Sequence, residues 1–298
     1  MKRLRLILIP ESSICDPGDF ETIAENIRQL APDIRVDIVK RRQLWWRQLG
    51  FLFRPCLYVA FYEARKFKPL RGLCLHGNAM GKAGQYIRMQ DAGFDVIPWK
   101  KIAEEDQFDK NQWGEVVIIK PDSGREGRGV RLSRPEDIRH EQVCSDGKSY
   151  LIQKFIETGD NPNYYRALTL FGETLYLRKT TNGGSKIGDM TDELPDPVAN
   201  AGHGCAELVH DSEVIEFARQ MATRAFPDIP LLGQDIVRDR KTGKLHCLEV
   251  NPYGSTWHFS TSAGRKLQQR DKFDYKSQFD AFKLAAKVLI DKTRLLAR

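Results

Sequence analysis

The sequence predicts an α/β chain: an N-terminal parallel-sheet domain over residues 1–78, followed by two α+β subdomains over 79–158 and 159–298. Three observations carry this expectation. An apolar run, an amphipathic helix and an alternating strand follow one another over residues 2–40, the pattern of a β-α-β unit. A strand ending on Lys120 opens a glycine-rich hairpin, VVIIKPDSGREGRGVRL, over 116–132. Near the C-terminus, LLGQDIV and LHCLEV place acids inside otherwise apolar strands. At 298 residues the chain also exceeds what one simple core organises.

Taken in order, residues 2–10 form the first strand. In 19–30, Phe20, Ile23, Ile27 and Leu30 share one helical face, and IRVDIVK over 34–40 alternates as a strand. Segment 41–55 mixes four arginines with Trp45, Trp46, Phe51 and Phe53. Such a segment suits a membrane surface, an acceptor-docking face or, the reading preferred here, an irregular packed element. Residues 80–99 read as a helix ended by Gly93 and then a strand, FDVIPW. Strands follow at 115–120, 128–133 and 150–156, and a pair over 164–180 turns at Gly172. Residues 181–205 read as a long functional loop. Residues 211–226 read as a helix capped by Asp211 or Ser212. Strands around a turn at 241–244 carry the acids, and an amphipathic helix closes the chain.

The bulk numbers narrow the class. Hydrophobic residues make up 41% and charged residues 29%, as in a globular protein. No apolar run nears the roughly 20 residues of a membrane span. The start, MKRLRLILIP, is too short in its apolar part for a signal peptide, so a cytoplasmic protein is expected. The six cysteines show neither C-x-x-C pairs nor zinc spacing, which favours scattered reduced thiols. The net charge of +7 suits a polyanionic ligand. No zinc-finger or RRM pattern supports nucleic acid as the partner. The sequence leaves a homo-oligomer open.

Lys120 precedes Gly124, Gly127 and Gly129, and a strand follows, so the hairpin is neither a Walker A loop nor a dinucleotide fingerprint. Backbone N–H groups of such a turn still converge on an anion, and Lys120 adds a positive charge. An ordinary tight hairpin is the plainer alternative. Asp235 and Glu249 lie on consecutive strands, and Asn251 follows Glu249 by two, on the same face. Two carboxylates and an amide make a hard oxygen site suited to Mg²⁺ (or Mn²⁺).

Together these pieces resemble the ATP-grasp superfamily, and within it the RimK-like carboxylate–amine ligases, over roughly residues 76–260. The resemblance implies a nucleotide role for Lys82 ahead of its helix, although Lys82 also suits a plain surface position at a helix start. It implies that Lys120 and the hairpin of Gly124, Gly127 and Gly129 hold and cover the triphosphate. The stretch Gln153, Lys154, Phe155 and Ile156 looks like the adenine hinge, and Asp160 is placed for the ribose. Arg166 and Arg178 match family arginines that stabilise an anionic intermediate, and Asn200 matches a residue near the phosphates. Asp235, Glu249 and Asn251 match the metal set. Departures fall at Tyr164, Cys205 and EVNPYGSTW, where an acceptor would bind, so Tyr253, Ser255, Trp257 and His258 become candidates for acceptor choice.

The implied cofactors are ATP and Mg²⁺ (or Mn²⁺). The implied reaction activates a carboxylate as an acyl phosphate and joins it to an amine, of an amino acid or small peptide, releasing ADP and phosphate. The alternatives are a kinase acting on a hydroxyl of a polyanionic acceptor and a non-catalytic nucleotide-binding regulator.

Overall fold

A computed structural model describes residues 4–47, 49, 54–104, 106–124, 127–182 and 204–298. Its first sheet is parallel, in the order β2-β1-β3-β4, from β1 (Leu4–Ile9), β2 (Ile34–Ile38), β3 (Cys56–Glu63) and β4 (Leu73–Gly77). β1 and β3 read as almost unbroken apolar runs because both of their faces are covered. Helix α1 (Pro17–Leu30) starts with Pro17 in its first turn, and the Asp16 carboxylate accepts from the Gly18 N–H. Its Phe20, Ile23, Ala24 and Ile27 bury against one sheet face beside the last helix, α8 (Ala281–Leu296). Beyond α8, the backbone of Arg298 pairs with that of Cys56. The opposite face takes Leu44, from the short helix α2 (Leu44–Arg47), together with Tyr58, Tyr62 and Phe67. Leu44 is thus packed, while Trp45 lies exposed with its ring edge against Phe67.

Helix α3 (Lys82–Asp91) leads to the second sheet, β5-β8-β6-β7, which is antiparallel. Its strands are β5 (Trp99–Lys101), β6 (Val117–Pro121), β7 (Arg131–Ser133) and β8 (Tyr150–Lys154), with one-turn helices α4 (Lys110–Trp113) and α5 (His140–Val143) between them. The hairpin expected around Lys120 forms. The strand expected at 94–99 begins only at Trp99, because Pro98 has no N–H to give the ladder, although its carbonyl still accepts from Lys154 N–H.

The third sheet is antiparallel, in the order β11-β10-β9-β12-β13. It comprises β9 (Asn163–Leu170), β10 (Glu173–Asn182), β11 (Gly204–Leu208), β12 (Leu231–Arg238) and β13 (Leu245–Asn251). Helix α6 (Ser212–Gln220), capped by Asp211, covers one face through Val214 and Ala218. Residues 253–261 and α7 (Ser262–Asp271), a helix the sequence reading passes over, lie on the other side. Helix α3 packs against both the second and third sheets. Tyr86 donates to the Leu248 carbonyl at 2.7 Å, and Gln85 accepts from Val250 N–H at 2.8 Å. Among the described residues no disulfide forms, and no helix is long and apolar enough to cross a membrane.

Candidate active site

Strand register gathers the charged residues. Leu208, Arg178, Arg166, Asp235 and Glu249 are successive cross-strand partners from β11 through β10, β9 and β12 to β13. Residues paired this way share one face of the sheet. The expected catalytic arginines and metal acids therefore form one transverse row, positive on one side and negative on the other. Asn251 stands opposite Gly233, two residues from Asp235, and so joins the same end. Gly233 is glycine for a packing reason: a Cβ there would lie 2.5 Å from Thr256 Cγ2. The loop carrying Thr256 and Trp257 can therefore settle on the sheet.

Arg166 grips Asp235 through two hydrogen bonds, from Nε to Oδ1 and from Nη2 to Oδ2, the latter at 2.7 Å. Glu249 lies 3.6 Å from Lys82 Nζ. Burial pushes the Glu249 carboxyl up and Asp235 adds to this, while Lys82, Lys120 and Arg166 pull the other way. Lys120 is buried at the end of β6. Its ammonium donates to Gln153 Oε1 at 2.7 Å and sits 5.1 Å from the centre of the Tyr86 ring. Both partners are neutral. Burial lowers the Lys120 pKa to about 7; Lys82 adds to the drop and Glu249 opposes it.

The two lysines are fastened to each other by the chain between them. Asp122, two residues after Lys120, accepts from Ala83 N–H through its side chain at 2.9 Å and from Lys82 N–H through its carbonyl at 2.9 Å. The strand that presents Lys120 thus caps the helix that presents Lys82. Sequence reasoning misses Asp122 and Tyr86. The one available signal was the spacing of Tyr86, four residues after Lys82 on the same helical face.

Gly127 and Gly129 adopt φ of 69° and 76°, so the hairpin turn needs residues without a Cβ. Gly124 and Gly129 line a cleft of about 410 Å³ bounded by Arg128, Asp146, Lys148 and Tyr150. That cleft excludes Lys82, Lys120, Asp235 and Glu249, so it belongs to the hairpin and not to the charged row. Of the residues expected at the hinge, Gln153 and Lys154 end β8 and Phe155 and Ile156 follow it; the Gln153 side chain is held by Lys120, and Lys154 N–H donates to the Pro98 carbonyl. Asp160 is exposed and paired with Arg240 at 2.5 Å. Asn200 lies outside the described residues.

The donor set can be tested as a metal site. Among the described residues no three His, Cys, Asp or Glu side chains converge. Asp235 and Glu249 nevertheless face each other as register partners, and burial makes their joint negative charge costly. A divalent cation with Asn251 as the third, neutral ligand would relieve that cost, so the residues fit.

No protein-family model and no curated protein matches the chain. Solved structures do match. The ATP-grasp ligase PsnB, complexed with a phosphomimetic variant of minimal precursor, Mg and ADP, is 12% identical, with 98% of this chain and 100% of that one covered and a TM-score of 0.55. D-alanine–D-alanine ligase from Bacillus anthracis, complexed with ATP, is 14% identical over 98% of both chains, with a TM-score of 0.52. A RimK domain ATP-grasp protein from Sphaerobacter thermophilus is 13% identical, covering 96% of this chain and 99% of that one, with a TM-score of 0.51. The chain has the ATP-grasp fold over nearly its whole length.

Proposed function

We propose that this ATP-grasp chain is an ADP-forming ligase joining a carboxylate to an amine. The observation that carries the reading is the charged row: Glu249 and Asp235 at one end, with Lys82 against Glu249, Lys120 close by, and Arg166 gripping Asp235. A triphosphate with its metal needs that mixture of cations and hard oxygens, in a site where position and electrostatics do most of the work. The resemblance to PsnB and to D-alanine–D-alanine ligase supports the same class through the shared fold.

In this reading residues 79–158 form the lid over ATP, and 159–298 its floor. Lys120 and Lys82 hold phosphate oxygens, and the backbone around Gly124, Gly127 and Gly129 covers them. Lys154 to Ile156 border the adenine, Asp160 reaches the ribose once Arg240 yields it, and Asn200 lies near the phosphates. Asp235, Glu249 and Asn251 would hold magnesium, which would neutralise phosphate charge when bound. The substrate carboxylate attacks the γ-phosphorus and ADP leaves. The amine then displaces phosphate from the acyl phosphate. Arg166 stabilises the developing negative charge beside Asp235, and the closed hairpin keeps water from the acyl phosphate.

The test is trapping. Incubation with ATP, magnesium, hydroxylamine and a panel of amino acids and short peptides should yield a hydroxamate with stoichiometric ADP and phosphate. Absence of calorimetric heat on adding ATP with magnesium would overturn the reading. So would phosphate transfer to a hydroxyl without any hydroxamate.

A further inference from the structure

Three buried polar atoms near the arginine end of the row have no hydrogen-bond partner among the described residues: Arg178 Nε, His258 Nδ1 and the Tyr275 hydroxyl. Their residues are 2%, 7% and 0% exposed. They form one cluster. The Tyr176 ring lies 6.1 Å from that of His258 and 4.2 Å from that of Tyr275, and the last two are 6.2 Å apart. Arg178 follows Tyr176 by two on β10 and shares its face.

A buried guanidinium requires an anion. Arg166 has Asp235. Arg178 makes a hydrogen bond to the neutral Thr180 hydroxyl and lies 5.6 Å from the centre of the neutral Tyr164 ring. Asp271 feels its charge but is held by Arg270 and the Ala206 N–H. The surroundings of the cluster are fixed. The Gln268 side chain on α7 donates to the His258 carbonyl at 3.1 Å and accepts from Tyr275 N–H at 3.1 Å, so a single amide sets both backbones. Solvent reaches the adjoining pair, since the Arg166 and Asp235 side chains are each 16% exposed.

We propose that Arg178, His258 and Tyr275 form a subsite for a carboxylate that anchors the substrate without reacting. This rests on the ligase reading for its place in a reaction, but not for its binding chemistry. Burial, with the charges of Arg166 and Arg178, holds the His258 imidazole well below its ordinary range, hence neutral. Burial pushes the Tyr275 phenol up to about 12 and keeps its proton in place. One positive charge with two neutral groups matches a carboxylate monoanion better than a phosphate dianion. Strands lie about 4.8 Å apart, so the Arg178 position is about 10 Å from that of Asp235. The ligand class is therefore a molecule with a carboxylate at one end and its reacting group several bonds away, such as an amino acid or peptide.

The experiment titrates succinate into the full chain without nucleotide and follows the labelled His258 ring by NMR, its signal assigned by its loss in His258→Phe. The expected result is a saturable shift, absent with succinamide and weaker with inorganic phosphate. The apparent affinity should fall at least tenfold in Arg178→Met and severalfold in Tyr275→Phe, which removes a single oxygen and leaves the packing. No saturable shift, phosphate binding as tightly as succinate, or unchanged affinity in both variants overturns the subsite. Calorimetry with ATP and magnesium on the same samples separates the two claims. Retained nucleotide heat without a succinate response removes only the subsite. A succinate response without nucleotide heat removes only the ligase reading.

Discussion

Lys120 keeps a buried amine beside an amide oxygen and an aromatic face, neither of which carries a charge. With its pKa lowered to about 7, the free protein leaves it mostly neutral at about pH 8. A bound triphosphate favours the charged form. Calorimetry at that pH in buffers of different ionisation heat should therefore register uptake of about one proton per ATP. ATP affinity should also fall as pH rises past 7, and Lys120→Met should lose the uptake. Unfolding returns the lysine to its ordinary range, so the unfolded chain binds more protons, and this group makes stability rise between about pH 7 and pH 10. Glu249→Ala should cut turnover by at least about a hundredfold, the scale of losing one positioned electrostatic group. Its urea midpoint should stay close to that of the parent, because the side chain is 29% exposed. Asp235 and Glu249 were legible in the sequence as acids inside apolar strands and Lys120 as the lysine ending one, whereas Arg166 stood out only through the family resemblance. That Arg166 would take Asp235, 69 residues away, was not legible, because only the β9–β12 register decides it.

Helix α3 depends on a cap supplied from another element. Asp122→Ala should cost about 1 kcal/mol, as helix caps do, measured by urea unfolding, and should weaken ATP binding by freeing Lys82 from its place beside Glu249. Local pattern identified the hairpin at Lys120, the Gly172 turn and the paired acidic strands, since each is set by neighbours in sequence. It did not identify where the final helix starts. The amphipathic pattern runs from Ser277, but Phe279 and Asp280 sit at φ of 57° and 49°, so the helix begins at Ala281. The physical reason is Gln278, whose side chain accepts from Leu177 N–H at 2.9 Å and donates to the carbonyls of Leu177 and Val209. Its position is fixed by the third sheet, against helical propensity. Gln278→Ala should destabilise by about 1–3 kcal/mol, the cost of leaving such backbone groups unpaired, again read by urea unfolding.

At the scale of the whole molecule, the strand–helix–strand order of residues 2–40 was enough to anticipate the parallel first sheet, while the α+β character of the rest came from the family resemblance. The sequence could not disclose that α8 crosses back to lie beside α1, with Arg298 hydrogen-bonded to Cys56. That packing joins the first and the last of the described helices. It has a consequence for biosynthesis. The nascent β1, β2 and β3 can associate early, yet the greasy side of Phe20 and Ile27 stays partly bare until the ribosome has released residues 281–296. During that interval the emerging polypeptide is open to aggregation or chaperone capture. A chain stopped at Asp280 should bind ANS and precipitate, whereas co-expressing residues 281–298 as a separate peptide should restore some of it to the soluble fraction.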